Sequence, residues 1–178
     1  VYFVFGTGDL IATDLDGNVR WSKNLVAEYG PINNQFGYSS SPLFFNGKLY
    51  IAIMRGQWDR AELEQFTDVD SHIFCFDPAN GKELWKAHRT SDGGDEAFDS
   101  YSSPMPYAYG DVKAIISQGG NYLMAHDAAT GKELWRPFAA GPDGLVKIGP
   151  DYKPFYPWLK GKDLGVSTWP NDMWKTGA

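Results

Sequence analysis

Cysteine is nearly absent from this sequence, since Cys75 is the only one among 178 residues. A single thiol excludes an internal disulfide framework and a cysteine-based zinc cage. Histidine is also scarce, and His72, His88 and His126 never take a spacing typical of paired metal ligands. No apolar run is long enough to span a bilayer. Basic residues number 16 against 22 acidic ones and form no cluster, so neither nucleic acid nor an anionic membrane surface is an expected partner.

Glycine, proline and aromatic residues are abundant instead. The chain has 20 Gly and 11 Pro, and Phe, Tyr and Trp make up 16% of it. Flat aromatic side chains favour pleated surfaces, while frequent Gly and Pro interrupt long helices and mark the ends of many short elements. This composition predicts an all-β protein.

One ten-residue stretch occurs almost unchanged twice, fifty positions apart. It reads FDPANGKELW at 76–85 and HDAATGKELW at 126–135, and a shorter relative, LIATDLDGNVRW, ends at Trp21. A second signature, Ser-Ser-Pro, stands at 40–42 and again at 102–104, and each copy precedes two apolar stretches joined by a glycine turn. Self-similarity at this period indicates a repeat architecture.

Alternation of apolar and polar residues predicts four strands, A to D, in each unit. They are expected at 41–45, 48–53, 72–77 and 82–87 in the second unit, and at 103–108, 112–117, 122–127 and 132–137 in the third. The first unit supplies strands B to D at 1–5, 10–14 and 19–23 but no strand A. Four-stranded antiparallel sheets repeated in this way predict a β-propeller, of which about two and a half blades are present.

The predicted organisation is a partial blade with its connection at 1–37, a second blade at 38–99 with an inserted B-C loop at 55–70, and a third blade at 100–138. Residues 139–178 form a long connection rich in Pro and aromatics, which opens the next blade if Ser167-Thr168 echoes the Ser-Ser-Pro signature. Too few blades are present to close a ring. The remaining blades are therefore expected from the same longer chain or from other copies.

The repeated stretch resembles the tryptophan-docking motif of PQQ-like β-propeller repeats, A-x-D-x-x-T-G-K-x-x-W. The third copy matches at Ala125, Asp127, Thr130, Gly131, Lys132 and Trp135; the second has Cys75 and Asn80 in place of Ala and Thr. The resemblance implies a structural docking role for Asp14, Trp21, Asp77, Gly81, Trp85, Asp127, Gly131 and Trp135. It also implies a periplasmic or extracellular location in a bacterium, because the repeat is shared by quinoprotein dehydrogenases, an outer-membrane assembly lipoprotein and other exported propellers.

Strand order places all the long connections at one end of the blades. The A-B and C-D turns are short, whereas the B-C insertion and the D-A connections lie at the opposite end and carry an excess of acidic residues. Long loops on a rigid scaffold are where binding usually resides. The candidate binding residues at this end are Trp58, Asp59, Glu62, Phe66, Asp68, Asp70, Asp92, Asp95, Glu96 and Asp99.

Two functions remain open. The first is a non-catalytic binding or scaffold module that holds a protein or a polysaccharide on its acidic loop face. The second is a fragment of a PQQ-dependent dehydrogenase, for which PQQ and calcium would be the cofactors. No cofactor and no catalytic residue is evident in the sequence, and the paired adjacent cysteines that the resemblance associates with alcohol dehydrogenases are missing here.

Overall fold

The computed structural model describes residues 1–55, 70–89, 99–119 and 122–135. These residues form eleven β-strands and one short helix. The strands are β1 Tyr2–Val4, β2 Asp9–Thr13, β3 Val19–Asn24, β4 Leu43–Phe45, β5 Lys48–Ile53, β6 His72–Phe76, β7 Glu83–His88, β8 Met105–Tyr109, β9 Val112–Gly119, β10 Tyr122–Asp127 and β11 Glu133–Trp135; the helix, α1, is Leu25–Tyr29. None of the described helical residues forms a segment able to cross a membrane.

The strands pair into three antiparallel sheets in simple chain order. The first sheet has the order β1-β2-β3, the second β4-β5-β6-β7, and the third β8 to β11. This arrangement confirms the all-β prediction and the four-stranded antiparallel unit. Strand β1 has no strand A beside it in the described residues, as the sequence pattern predicts. The proposed unit boundaries at 37 and 99 stay predictions, and the 139–178 connection lies outside the described residues.

The first strand of each complete sheet begins later than the pattern predicts. Strand β4 starts at Leu43 and β8 at Met105, in both cases directly after the proline of the Ser-Ser-Pro signature. The serines are occupied elsewhere, because Ser41 N donates to Ser103 Oγ at 2.8 Å. These residues connect neighbouring loops instead of extending the ladder.

The core is divided between the two faces of the second sheet. On β5, Leu49, Ile51 and Ile53 face a cluster shared with the first sheet, which includes Leu10 and Phe74. The alternate residues Tyr50 and Ala52 of β5, and Met54 directly after it, belong to a second cluster, which includes Cys75, Ile115 and Ala128. Because side chains alternate along a strand, a sheet covered on both sides needs apolar residues at nearly every position.

Helix α1 lies in the 25–37 connection, where the sequence reasoning expected only a loop. Asn24 caps it, since its side-chain oxygen accepts from Ala27 N at 2.8 Å, and Gly30 ends it with φ 91°. Asn before a short apolar segment followed by Gly is a known helix-boundary pattern that could have revealed it. The helix places Leu25 in the core between the first two sheets.

Candidate functional site

The end of the sheets that carries the short turns is called the turn end here, and it includes the 14–18, 77–82 and 127–132 turns. In each of these turns an aspartate accepts hydrogen bonds from backbone amides ahead of it. Asp14 Oδ1 accepts from Asp16 N and Asn18 N, and Asp127 Oδ1 accepts from Thr130 N and Thr130 Oγ1. The bond from the Thr130 hydroxyl lowers the pKa of Asp127. The carboxylates therefore hold the turns in shape.

Trp21 and Trp85 each pack against the glycine in the turn of the next sheet. A Cβ atom added to Gly81 would lie 2.8 Å from Cε3 of Trp21, and one added to Gly131 would lie 2.6 Å from Cε3 of Trp85. Trp21 Nε1 also donates to the Pro78 carbonyl at 2.9 Å. These contacts join the first sheet to the second and the second to the third.

Two tyrosines that the sequence reasoning missed stand beside these tryptophans. Tyr2 OH donates to the same Pro78 carbonyl at 3.2 Å, and Tyr50 OH donates to the Ala128 carbonyl at 2.8 Å. Register places Tyr2, Ala12 and Trp21 in one cross-strand row, and Tyr50, Cys75 and Trp85 in the equivalent row of the next sheet. A tyrosine recurring at this strand B position was the signal available in the sequence.

The opposite end of the sheets is called the loop end here, and it receives the connections at 25–42, 54–71 and 89–104. Arg55 closes the base of the inserted loop. Its Nη1 donates to the Asp70 carbonyl at 2.6 Å, and Nε and Nη2 donate to the Pro31 and Tyr29 carbonyls at 2.9 and 2.5 Å. Only 2% of Arg55 is exposed, so a buried guanidinium ties the insertion of the second sheet to the helix end that follows the first.

Asp70 is the exposed residue at the other side of this base. Its carboxylate lies 3.0 Å from His88 Nε2, and its carbonyl also faces His72 Nδ1 at 2.8 Å. His72 and His88 are paired across β6 and β7, with ring centroids 5.3 Å apart. Of the two candidate carboxylates in the described part of the chain, Asp70 is exposed and Asp99 is buried.

Asp99 occupies a different environment from the solvated acidic face that the charge pattern suggested. It is buried, and its Oδ2 accepts from Gln35 N at 2.9 Å and from Tyr101 OH at 3.0 Å. The turn at 34–37 presents backbone N–H groups that need acceptors, and the carboxylate supplies one. This correction removes Asp99 from the exposed acidic surface and makes it a bridge between the 25–42 and 89–104 connections.

The other candidate binding residues, Trp58, Asp59, Glu62, Phe66, Asp68, Asp92, Asp95 and Glu96, lie outside the described residues.

The metal-ligating side chains are dispersed within the described part of the chain. No three His, Cys, Asp or Glu side chains there come together in a way that could hold a metal ion. Cys75 lies fully buried in β6, and burial raises the pKa of its thiol to about 11.

Comparison with known proteins identifies the repeats. The family model described as outer membrane protein assembly factor BamB matches residues 69–144, which include the end of the second sheet's insertion and the whole third sheet. The match and the four-stranded antiparallel sheets are consistent with PQQ-like β-propeller blades. The described chain thus contains two four-stranded blades and three strands of another.

Among curated proteins, methanol dehydrogenase (cytochrome c) subunit 1 of Methylorubrum extorquens is 32% identical to this chain over 117 residues. The match covers 63% of this chain and 18% of the relative. The chain therefore corresponds to a small part of that dehydrogenase.

Two solved structures share the fold. Quinohemoprotein alcohol dehydrogenase from Comamonas testosteroni superposes with a TM-score of 0.55 at 16% identity, covering 83% of this chain and 27% of that one. A europium-containing methanol dehydrogenase gives a TM-score of 0.54 at 21% identity and covers 98% of this chain and 29% of that one. At these identities the likeness concerns the propeller fold alone.

Proposed function

We propose that this chain is a segment of a PQQ-like propeller that acts as a non-catalytic binding or scaffold module through its loop end. The observation that carries the proposal is the set of hydrogen bonds that links the long connections where they leave the sheets. Arg55 is held by backbone carbonyls of the 25–42 and 54–71 connections, and Asp99 bonds to groups of the 25–42 and 89–104 connections. A rigid base under long, variable loops is the usual arrangement of a binding surface.

The chemistry of the insertion indicates the kind of partner. It carries Trp58 and Phe66 together with an excess of carboxylates over basic side chains. Aromatic anchors surrounded by charge are typical of interfaces. A protein with a basic patch or a polysaccharide fits this surface, and an anionic partner does not.

A periplasmic or extracellular location in a bacterium is part of the same proposal. It is supported by the matching family, whose description names an outer-membrane assembly factor. The test is fractionation of the source cells, followed by immunoblotting with an antibody to the third blade. Recovery in the cytoplasmic fraction would contradict this location.

The loop-end proposal is tested by paired variants at the two ends of the blades. Trp58→Ala and the double variant Asp59→Asn with Glu62→Gln change the insertion, while Asp111→Asn changes an exposed turn at the turn end. Binding is measured against purified envelope proteins and polysaccharides of the source bacterium. Insertion variants are expected to weaken binding at least tenfold, as removal of an interface anchor does, and Asp111→Asn to leave it unchanged. Equal binding by all variants refutes the assignment.

A dehydrogenase fragment is the second candidate, and the 32% identity to a methanol dehydrogenase subunit favours it. The experiment is to add PQQ and calcium to the protein, then to follow dye reduction with methanol. Cofactor binding with alcohol-dependent dye reduction would overturn the non-catalytic proposal. If the protein binds no cofactor at saturating PQQ, the result supports the non-catalytic proposal.

A further inference from the structure

We infer that Phe36 and Tyr101 form an aromatic platform at the loop end that binds a pyranose ring of an uncharged polysaccharide. The inference rests on the proposed binding function and adds to it a location and a ligand class. The two residues come from different connections, 25–42 and 89–104, so the platform exists only where two blades meet.

Both rings are presented to solvent. Phe36 is 77% exposed and Tyr101 38% exposed, with ring centroids 6.2 Å apart and planes tilted by 43°. A large aromatic side chain left this open loses the benefit of burial, which a ligand would restore.

The platform is held in place without a ligand. Phe36 N donates to Tyr101 OH at 3.3 Å, and that hydroxyl donates to Asp99 Oδ2 at 3.0 Å. Gln35 N reaches the same carboxylate oxygen at 2.9 Å. These bonds fix the Phe36 backbone and the Tyr101 side chain, which reduces the conformational entropy to be lost on binding.

The surroundings favour a sugar over a protein. A pyranose presents an apolar C–H face, which packs on an aromatic ring, and a rim of hydroxyl groups, which need hydrogen-bond partners. The chain neighbours of the two rings are Gln35, Gly37, Ser100 and Ser102, not further apolar residues. The core of a protein interface would instead be expected to be apolar.

Asp99 provides an independent indication of a polar ligand. The residue is only 7% exposed, and its second oxygen, Oδ1, has no hydrogen-bond partner within the described part of the chain. A buried carboxylate oxygen without a donor is costly, and the described residues supply no donor to it. The strong acceptor thus lies directly beside the Tyr101 hydroxyl.

Affinity electrophoresis tests the platform, using gels that contain hydroxyethyl cellulose, xylan, laminarin or dextran. The wild-type protein should be retarded by at least one of them. Phe36→Ala should weaken that retardation about tenfold, as loss of an exposed aromatic anchor does. Tyr109→Ala is the matched control, since Tyr109 is 78% exposed but lies at the turn end, and it should bind like wild type.

The possible results separate this inference from the proposed function. Retardation that survives Phe36→Ala but is abolished by Trp58→Ala overturns the platform and leaves the loop-end proposal standing. Binding of a protein partner that depends on Phe36, with no retardation in any gel, overturns the polysaccharide assignment. Failure of Phe36→Ala to change any binding, with unchanged circular dichroism, also overturns it. Asp99→Asn should weaken retardation several-fold, because the amide cannot supply two acceptor oxygens.

Discussion

Gly81 and Gly131 are required by both backbone conformation and packing. Each has φ 73°, in the left-handed region, and each lies under a tryptophan ring of the preceding sheet. Gly47 has nearly the same φ, 71°, but a Cβ atom there would meet nothing within 4 Å. Comparing Gly47 with the two turn glycines therefore separates the free-energy cost of the left-handed backbone from the cost of a clash with the tryptophan ring.

Gly81→Ala and Gly131→Ala should both destabilise the protein more than Gly47→Ala does. The left-handed conformation alone costs an alanine about 1 kcal/mol. Contact with the indole adds about 1–3 kcal/mol, because ring and turn are packed too closely to admit a methyl group. The measurement is the free energy of unfolding in urea for the three variants.

Equal destabilisation by all three substitutions would contradict the packing role of the two turn glycines and leave only backbone strain as the cause.

The turn aspartates could be predicted from the sequence, because their hydrogen bonds reach only two to four residues along the chain. Tyr2 and Tyr50 could not be recognised as docking residues, because their acceptors lie more than seventy residues away.

At the scale of elements, the two described blade junctions use the same parts with different hydrogen bonding. Trp21 Nε1 donates to the Pro78 carbonyl. The equivalent carbonyl of the next junction, that of Ala128, accepts from Tyr50 OH instead, and the buried Trp85 Nε1 has no hydrogen-bond partner among the described residues. The repeat therefore conserves the ring contact more closely than the indole hydrogen bond.

Trp21→Phe should cost more stability than Trp85→Phe. Both changes remove ring volume from a blade junction, but only the first removes a hydrogen bond, with a net value of about 1 kcal/mol. The second removes a buried donor that has no acceptor among the described residues, which relieves the free-energy cost of leaving that donor unpaired. Urea unfolding of the two variants, compared with wild type, measures the difference.

The opposite ranking would show that the packing of the Trp85 ring stabilises the protein by more than its unpaired indole N–H destabilises it.

Strand positions were largely predictable at this scale: β5 and β10 both fall at their expected residues. Both are strands of alternating or continuous apolar character bounded by turn residues. Helix α1 was missed because five residues give too short a periodic pattern.

On the scale of the whole molecule, the blades contact one another as neighbours in a row. The second blade has one apolar cluster on each face, so the first and third blades are joined through it. In such an arrangement stability is approximately the sum of blade and junction contributions. Cys75, fully buried in the cluster shared with the third blade, reports on one junction only.

Thiol labelling at pH 8 should therefore distinguish the two junctions. Ile115→Val weakens the junction beside Cys75, and Ile51→Val makes the same change at the other one. Losing one methylene costs about 0.5–1.5 kcal/mol. Ile115→Val should speed labelling of native protein roughly two- to tenfold, with a smaller effect from Ile51→Val.

Equal acceleration by both substitutions would mean that the blades open only together. Native wild-type protein should label slowly in any case, because burial raises the pKa of the Cys75 thiol to about 11 and keeps it protonated at pH 8. Labelling in urea provides the fully exposed reference, and Cys75→Ala provides the blank.

The sequence by itself determined the repeat, the all-β class, the position of most strands and the separation of short turns from long connections. These features depend on alternation and turn chemistry, which act between residues close along the chain. Only the tertiary structure decided which groups meet across blades: Trp21 with Gly81, Arg55 with the helix end, and Asp99 with Gln35 and Tyr101. Charge counting placed Asp99 on the acidic loop face and could not show its burial. Burial depends on the path of two connections more than sixty residues apart, which no local pattern encodes.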